Sequence, residues 1–259
     1  MQIINRTTID EAFAQDIARR AGVADRDFVL FLDSAVNAVR ADYARSKLEE
    51  YRRKGWKPVF GWDRDATGEN DHHACTVNRR TIGTQKLPAY VIEAIDGYDL
   101  LVYVDGTHTK EQGPDFAITL AHEFRHVWQY FNAPVVFHSQ TALSFVHPPQ
   151  ETPCELDAER GAKRILEDLY GVAAAREYLA KELATCNPEH RAVLQRLAAL
   201  DPTADPEMEK KTLQLLEQHA PAIRKYQADA RARFPDYMMP GLLELTEAMS
   251  GKSNTHLLP

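Results

Sequence analysis

Apolar residues recur at helical spacing over most of the chain. Near the start, Thr8 and Glu11 have the capping-box pattern and apolar residues follow with a period of about 3.6, so the sequence predicts a short first helix ending near Gly22. The same spacing continues from about residue 26 to residue 54 and predicts a second, long helix.

In the middle of the chain the pattern changes to short β-prone runs. Residues 57–60 and 75–78 are predicted to form short strands on either side of a polar loop. Asp96-Gly97 joins two further runs and is a hairpin signal, although residues 88–96 also suit a short helix. In either case, residues 98–104 are predicted to form a strand.

The second half returns to helical spacing. Pro114 suits the first position of a helix that Pro134 ends, and the proline-rich stretch 134–153 is predicted to be irregular. A further helix is predicted from about Pro153 to Tyr170. Breaks at Pro, Asp and Gly then divide the remainder into three to five predicted helices, and the last residues are predicted to fray.

These elements predict an α+β, mostly helical fold with a small, mainly antiparallel sheet. We expect one domain over residues 1–259. Its predicted parts are N-terminal helices in 1–55, the sheet and two central helices in 56–171, and a helical C-terminal subdomain in 172–259.

Composition excludes several classes of protein. The chain of 259 residues is 44% hydrophobic and 27% charged, as in ordinary globular proteins. Its net charge of −7 and lack of a long basic tract argue against binding nucleic acid through phosphate neutralisation. Three widely spaced cysteines argue against a disulfide framework or a zinc ribbon. The sequence shows no membrane-spanning run and no secretory leader, so we expect a soluble, cytoplasmic protein.

Histidine is the unusual component, with ten residues, and two of them lie in the motif HEFRH. On a helix, His122 and His126 lie on one face about one turn apart, so both imidazoles can bind one tetrahedral metal ion. Glu123 is rotated by about 100° around the helix. It can therefore reach a water on that ion as a general base without being a ligand. The alternative is a surface helix whose His and Glu only face water.

The HEFRH helix, following a predicted strand, resembles the active-site helix of the zincin metallopeptidases. The extended metzincin motif is absent, because Gln129 and Asn132 stand where it requires Gly and His. The resemblance is to the gluzincin branch, which includes the thermolysin-like enzymes and takes its third ligand from a Glu that opens an E-x-x-A-D-type segment. Here that segment runs from Glu155 to Glu159, with Glu in place of the final Asp.

The resemblance covers about residues 98–170 and implies a zincin-like fold with one Zn²⁺ per chain, held by His122, His126 and Glu155. It implies a zinc metallopeptidase that hydrolyses peptide bonds with a zinc-activated water and Glu123 as general base. The substrate is then a peptide or protein, with which strand 98–104 is expected to pair by β-augmentation. No nucleic-acid or membrane partner is expected, and the sequence indicates no oligomeric state.

The helical pattern around Glu155 gives a separate reason to expect a cation there. Glu155 and Glu159 enter a stripe of small and apolar residues, where an unpaired charge is costly. The alternative is that Thr152 and Glu155 form a capping box and Glu155 only caps its own helix. Other candidate third ligands are Glu159, Glu151, Asp157, His138 and His147.

Peptide hydrolysis also requires groups that stabilise the oxyanion and the leaving amine. His138 and His147 are the predicted catalytic helpers, with Tyr130 and Tyr237 as alternatives, and each also suits an ordinary surface or core position. His108 is a weaker candidate for the rim of the cleft. Arg125 is expected to pair with an acid, Cys154 to be a small buried thiol, and the His/Cys cluster 71–75 to be a solvated loop.

Two further function classes remain open. One is a metal-dependent hydrolase of a non-peptide amide or ester, which would use the same metal ligands in a different pocket. The other is a helical interaction protein in which the HEFRH motif is structural or vestigial.

Overall fold

The structure is a computed structural model that describes residues 1–33, 45–46, 48–50, 52–53, 74–78, 93, 96–104, 112–186, 188–233 and 242–250. These residues are mostly helical and include one small sheet, which confirms that part of the predicted fold. The chain divides into two compact units, Met1–Phe13 with Asp25–Glu111 and Ala14–Ala24 with Gln112–Pro259. In the described ranges, every helix is too short or too polar to cross a membrane.

In the described residues, the sheet of the first unit has four strands in the order β1-β2-β4-β3. Two of its three pairings, β1 with β2 and β2 with β4, are parallel, so the prediction of a mainly antiparallel sheet is wrong. The central strands β2 and β4 are continuous apolar runs that are buried along their whole length, as is typical of parallel strands covered on both faces. The strands are β1 (Gln2–Asn5), β2 (Val29–Leu32), β3 (Ala74–Asn78) and β4 (Leu100–Val104).

The predicted long helix over 26–54 is wrong at its beginning, because Val29–Leu32 is strand β2. A short run of four buried apolar residues fits a helix and a strand equally well, so periodicity alone could not distinguish them. The described residues within 45–53 are helical, as expected. Strand β1 was not predicted.

The predicted strands 75–78 and 98–104 are confirmed as β3 and β4. Strand β4 pairs with β2 on one side and with β3 on the other, so its backbone groups are already used. The expectation that this strand binds an extended substrate by edge pairing is therefore wrong. Residues 57–60 and all of 88–96 except Glu93 and Asp96 lie outside the described residues, and Glu93 is helical.

Helix α1 (Glu11–Ala21) confirms the first predicted helix. Its first turn is capped by Asp10, whose Oδ1 accepts the backbone N–H of Ala12 at 2.9 Å. Gly22 follows the helix with a φ of 71°, a left-handed conformation that glycine adopts at low cost.

In the part of the chain that the structure describes, seven further helices follow Gly113. The predicted helices 114–133 and 153–170 are confirmed as α2 and α4, and four helices follow α4 in the described residues, within the predicted three to five. A 3₁₀ turn, Pro149–Glu151, precedes α4. The helices are α2 (Pro114–Asn132), α3 (Pro134–Ser144), α4 (Pro153–Tyr170), α5 (Val172–Thr185), α6 (Pro188–Ala199), α7 (Met208–Arg233) and α8 (Leu242–Ser250).

The prediction that residues 134–153 are irregular is wrong, because most of this stretch forms helix α3. Pro134 occupies the first turn of α3, where its missing N–H costs nothing, and the other prolines follow the helix. Helix α3 is held by an apolar cluster shared with α7 and α8, which includes Val135, Leu143, Leu216 and Leu245.

Helices α2 and α4 pack closely and position the candidate site. Ala158 and Ala162 of α4 are buried, as the small-residue stripe suggested. Gly161 allows a close approach, since a Cβ at this position would lie 2.9 Å from Cγ of Arg125 on α2. The stem of Arg125 therefore occupies the space that a larger residue at position 161 would require.

Candidate metal centre

Three side chains from α2 and α4 bring their ligand atoms together. The Nε2 atoms of His122 and His126 are 3.1 Å apart. Glu155 places Oε2 3.2 Å from Nε2 of His122 and Oε1 3.6 Å from Nε2 of His126. In the part of the chain that the structure describes, these three residues are the one group of His, Cys, Asp or Glu side chains that could hold a metal ion.

The spacing of these atoms fits a single tetrahedral ion. Bonds of about 2.0–2.2 Å to a tetrahedral metal separate two ligand atoms by roughly 3.3–3.6 Å. The three observed separations of 3.1, 3.2 and 3.6 Å, of which the last two involve different oxygens of Glu155, lie close to that range. All three residues have a ligand atom within 4.8 Å of the other two, so this group could hold a metal ion.

Burial differs among the three side chains. The side chain of His126 is 9% exposed, whereas those of His122 and Glu155 are each 23% exposed. One side of the group is therefore accessible to water, as a catalytic metal site requires for its open coordination position. Glu123, beside His122 on α2, is also buried.

The cluster is strongly coupled electrostatically. Burial opposes the charge of His122, but the hydrogen bond to Glu155 and the charges of Glu155, Glu123 and Glu159 outweigh it and raise the pKa of His122 to about 9. Burial likewise opposes the charge of Glu155, but the charge of His126 and the contact with His122 lower the pKa of Glu155 to about 2. The metal-free site therefore holds a protonated imidazole against a carboxylate.

The two sequence interpretations of Glu155 concern different atoms. The hydroxyl of Thr152 caps α4 by accepting the backbone N–H of Glu155 at 3.4 Å. The carboxylate of Glu155 faces the two imidazoles and accepts a hydrogen bond from Nε2 of Gln140 at 2.8 Å. Because Oε1 of Gln140 also accepts the hydroxyl of Thr152, the amide of Gln140 holds the carboxylate in this orientation.

The other acidic candidates on α4 have arginine partners. Glu159 forms a two-pronged ion pair with Arg196 of α6, in which Nε lies 2.7 Å from Oε2. Asp157 accepts Nε and Nη2 of Arg125 at 2.7 and 3.0 Å, which confirms that Arg125 pairs with an acid. Glu151 is exposed at the end of the 3₁₀ turn.

The predicted helpers lie outside the three-residue group. His138, on α3, is buried with its ring centroid 5.7 Å from that of Tyr130 and 5.2 Å from that of Phe137. His147 follows α3, and its ring centroid is 5.4 Å from that of His219 on α7. Catalytic roles for both stay predictions. Tyr237, His108 and residues 71–73 lie outside the described residues.

Two amides that the sequence did not point to contact the three-residue group: Gln129 contacts His126 and Gln140 contacts Glu155. Gln129 is fully buried and its Oε1 lies 2.8 Å from Nδ1 of His126. It stands three residues after His126, so helical spacing could have placed it beside the motif. Gln140 lies on α3, which was predicted to be irregular, so no pattern could have found it. Cys154 is buried as expected, and burial is the largest effect raising the pKa of its thiol.

Comparisons with family models, with curated proteins and with solved structures find no match. The interpretation of the site therefore rests on its own geometry and chemistry.

Proposed function

We propose that the protein is a zinc-dependent metallopeptidase of gluzincin type, with His122, His126 and Glu155 as the metal ligands. The observation that carries the proposal is the spacing of 3.1–3.6 Å among two imidazole nitrogens and a carboxylate. It unites residues from two helices at separations that suit one ion. The zincin-like fold, the zinc ion and the peptide substrate are parts of the same proposal.

The donor set favours zinc over calcium and magnesium. Two histidines and one glutamate, with a further position open to water, are the ligands of several catalytic zinc sites. Calcium and magnesium prefer oxygen ligands, which the two imidazoles do not supply. Two histidines and a carboxylate can also bind iron(II), so metal analysis of the purified protein distinguishes the two transition metals.

A bound zinc ion would supply Lewis acidity, polarising a peptide carbonyl and lowering the pKa of a water towards neutrality. Glu123 acts as the general base, taking a proton from the attacking water on a carboxylate oxygen and returning it to the leaving nitrogen. Its place directly after His122 suits this role, because a residue rotated by about 100° from a ligand is beside the ion and is not bound to it. Its low exposure limits competition from bulk water.

The orientation of Glu155 supports ligation. A carboxylate that accepts an amide hydrogen bond on one oxygen is held in place, as metal-ligating carboxylates usually are. Glu159, one turn along α4, is neutralised by Arg196 and is therefore a poor competitor for the ion.

The test compares the wild type with Glu123→Gln on a mixture of unstructured peptides, with cleavage followed by mass spectrometry. We expect both proteins to carry one zinc per chain, and the variant to lose roughly 10²–10⁴-fold in cleavage rate. The exposed Glu151→Gln is the matched control and should cleave like the wild type.

Two results would count against the peptidase assignment. One is a zinc-loaded wild type that cleaves none of the peptides. The other is a Glu123→Gln variant that cleaves as fast as the wild type. Hydrolysis of small esters or amides in the first case would favour the non-peptide hydrolase, whereas a protein without stoichiometric metal would favour the interaction protein.

A further inference from the structure

We infer that Gln129 is a positioning residue that fixes the tautomer of His126 and so leaves Nε2 of that ring free to bind the metal. This inference rests on the proposed function, because only that proposal assigns a metal ion to Nε2 of His126. The tautomer itself follows from the hydrogen bond between Nδ1 of His126 and Oε1 of Gln129.

The amide of Gln129 can take only one orientation. Its Nε2 donates to the carbonyl oxygen of Cys154 at 2.9 Å and to Oδ2 of Asp157 at 2.8 Å. A carbonyl and a carboxylate only accept hydrogen bonds, so rotating the amide by 180° would set an oxygen against two acceptors. Because Gln129 is fully buried, no bulk water could relieve that repulsion.

The fixed amide turns its oxygen towards His126. Oε1 of Gln129 lies 2.8 Å from Nδ1 of His126 and also accepts the thiol of Cys154 at 3.2 Å. An amide oxygen has no proton to donate, so Nδ1 of His126 carries the hydrogen. In a neutral imidazole the other nitrogen, Nε2, then has the free lone pair. That is the nitrogen facing His122 and Glu155.

Asp157, which accepts the amide of Gln129, is itself held in place by Arg125. Asp157 accepts Gln129 on the same oxygen that accepts Nε of Arg125 at 2.7 Å. The guanidinium of Arg125 in turn lies 3.7 Å from the ring centroid of Trp128. Arg125, Asp157, Gln129 and His126 are all buried, so the chain from α4 to the ligand is shielded from solvent.

The arginine of the HEFRH motif, Arg125, supports this hydrogen-bond network through its ion pair with Asp157. Arg125 neutralises Asp157, which allows Asp157 to accept the amide of Gln129 at low cost. The residue one turn after Glu155 is Glu159, and it pairs with Arg196. His126 is oriented by Gln129 of its own helix, and Cys154 and Asp157 of α4 hold Gln129 in place.

The experiment measures the His126 tautomer by long-range ¹H–¹⁵N correlation in the metal-free wild type, at a pH where the ring is neutral, and Zn²⁺ affinity by chelator competition. Gln129→Met removes the amide at similar length, and Gln140→Met removes an amide that contacts Glu155 and neither imidazole. We expect the Nδ1–H tautomer in the wild type and in Gln140→Met. In Gln129→Met we expect mixed tautomers and roughly 10–100-fold weaker Zn²⁺ binding.

An Nε2–H tautomer in the wild type would overturn the inference, even if Gln129→Met were too unstable to study. So would a folded Gln129→Met with the wild-type tautomer and Zn²⁺ affinity. The proposed function fails separately, if the wild type has the Nδ1–H tautomer and does not bind Zn²⁺. That result leaves the assignment of the tautomer to Gln129 standing.

Discussion

His122 and Glu155 lie on different helices, and Nε2 of the histidine is 3.2 Å from Oε2 of the glutamate. At neutral pH and without a metal ion, the pKa of about 9 for His122 and of about 2 for Glu155 makes these two side chains an ion pair. The same contact therefore contributes to the stability of the metal-free protein and competes with metal binding.

The stability of the metal-free protein should depend on pH through this pair. The folded-state pKa of His122 is about 9, above its ordinary value of 6.5, so its contribution is complete below about pH 6.5 and is lost as pH rises through 9. The folded-state pKa of Glu155 is about 2, below its ordinary value of 4.5, so its contribution is complete above about pH 4.5 and is lost as pH falls through 2.

The pair should therefore contribute most to the free energy of unfolding between about pH 4.5 and 6.5. Urea denaturation with a chelator present, at about pH 5.5 and about pH 9.5, measures the difference. We expect Glu155→Gln to lose more stability at the lower pH than at the higher. An equal loss at both values would show that the two side chains are not coupled in this way.

Metal binding should release a proton from His122. Because the folded-state pKa of His122 is about 9, a metal must displace its proton at neutral pH. We expect the apparent Zn²⁺ affinity to rise by about tenfold per pH unit between about pH 7 and 8.5. Calorimetry in two buffers of different ionisation enthalpy counts the protons released. Zinc affinity that does not change over this interval would contradict the prediction.

Glu155 and Glu159 provide a matched pair for identifying the third ligand, because they lie one turn apart on α4. We expect Glu155→Gln to lose zinc and Glu159→Gln to retain about one ion per chain, since Glu159 is paired with Arg196. Metal analysis after gel filtration measures the number of zinc ions per chain in both variants. Retention of zinc in Glu155→Gln, with loss in Glu159→Gln, would reverse the assignment.

Gly161→Ala should be destabilising, although Ala in a helix usually gains about 0.5–1 kcal/mol over Gly. The new Cβ would lie 2.9 Å from Cγ and 3.1 Å from Cβ of Arg125, near the base of that side chain, where it cannot easily move aside. We expect a loss of about 1–3 kcal/mol in the free energy of unfolding, as for other overpacked sites. Thermal denaturation at saturating zinc gives the sign, and a variant as stable as the wild type would show that α2 and α4 can separate at no cost.

The parts of the site that the sequence predicted follow from local rules. His122 and His126 needed only helical spacing, and the apolar residues around them, such as Phe124 and Val127, are buried on the same helix. Glu155 came from its resemblance to a known pattern, supported by the cost of burying an unpaired carboxylate. The ion pair of Arg125 was also expected, although Asp157 was not identified as its partner.

The parts that were missed depend on tertiary structure. Strand β2 is buried on both faces, and its four apolar residues carry no alternation that marks a strand. The prolines at and beyond the ends of α3 led to a prediction of irregular structure, so Gln140 could not be placed on a helix beside Glu155. The partnership of Glu159 with Arg196 joins α4 to α6, and no local pattern predicts which of two nearby carboxylates an arginine will choose.

The most direct test of the metal centre is a crystal structure of protein prepared without chelator, with diffraction data collected on both sides of the zinc absorption edge. We expect one zinc ion per chain, bonded at about 2.0–2.2 Å to Nε2 of His122, Nε2 of His126 and a carboxylate oxygen of Glu155. An absence of zinc at this position in zinc-saturated crystals, or an ion bound there without Glu155, would contradict it.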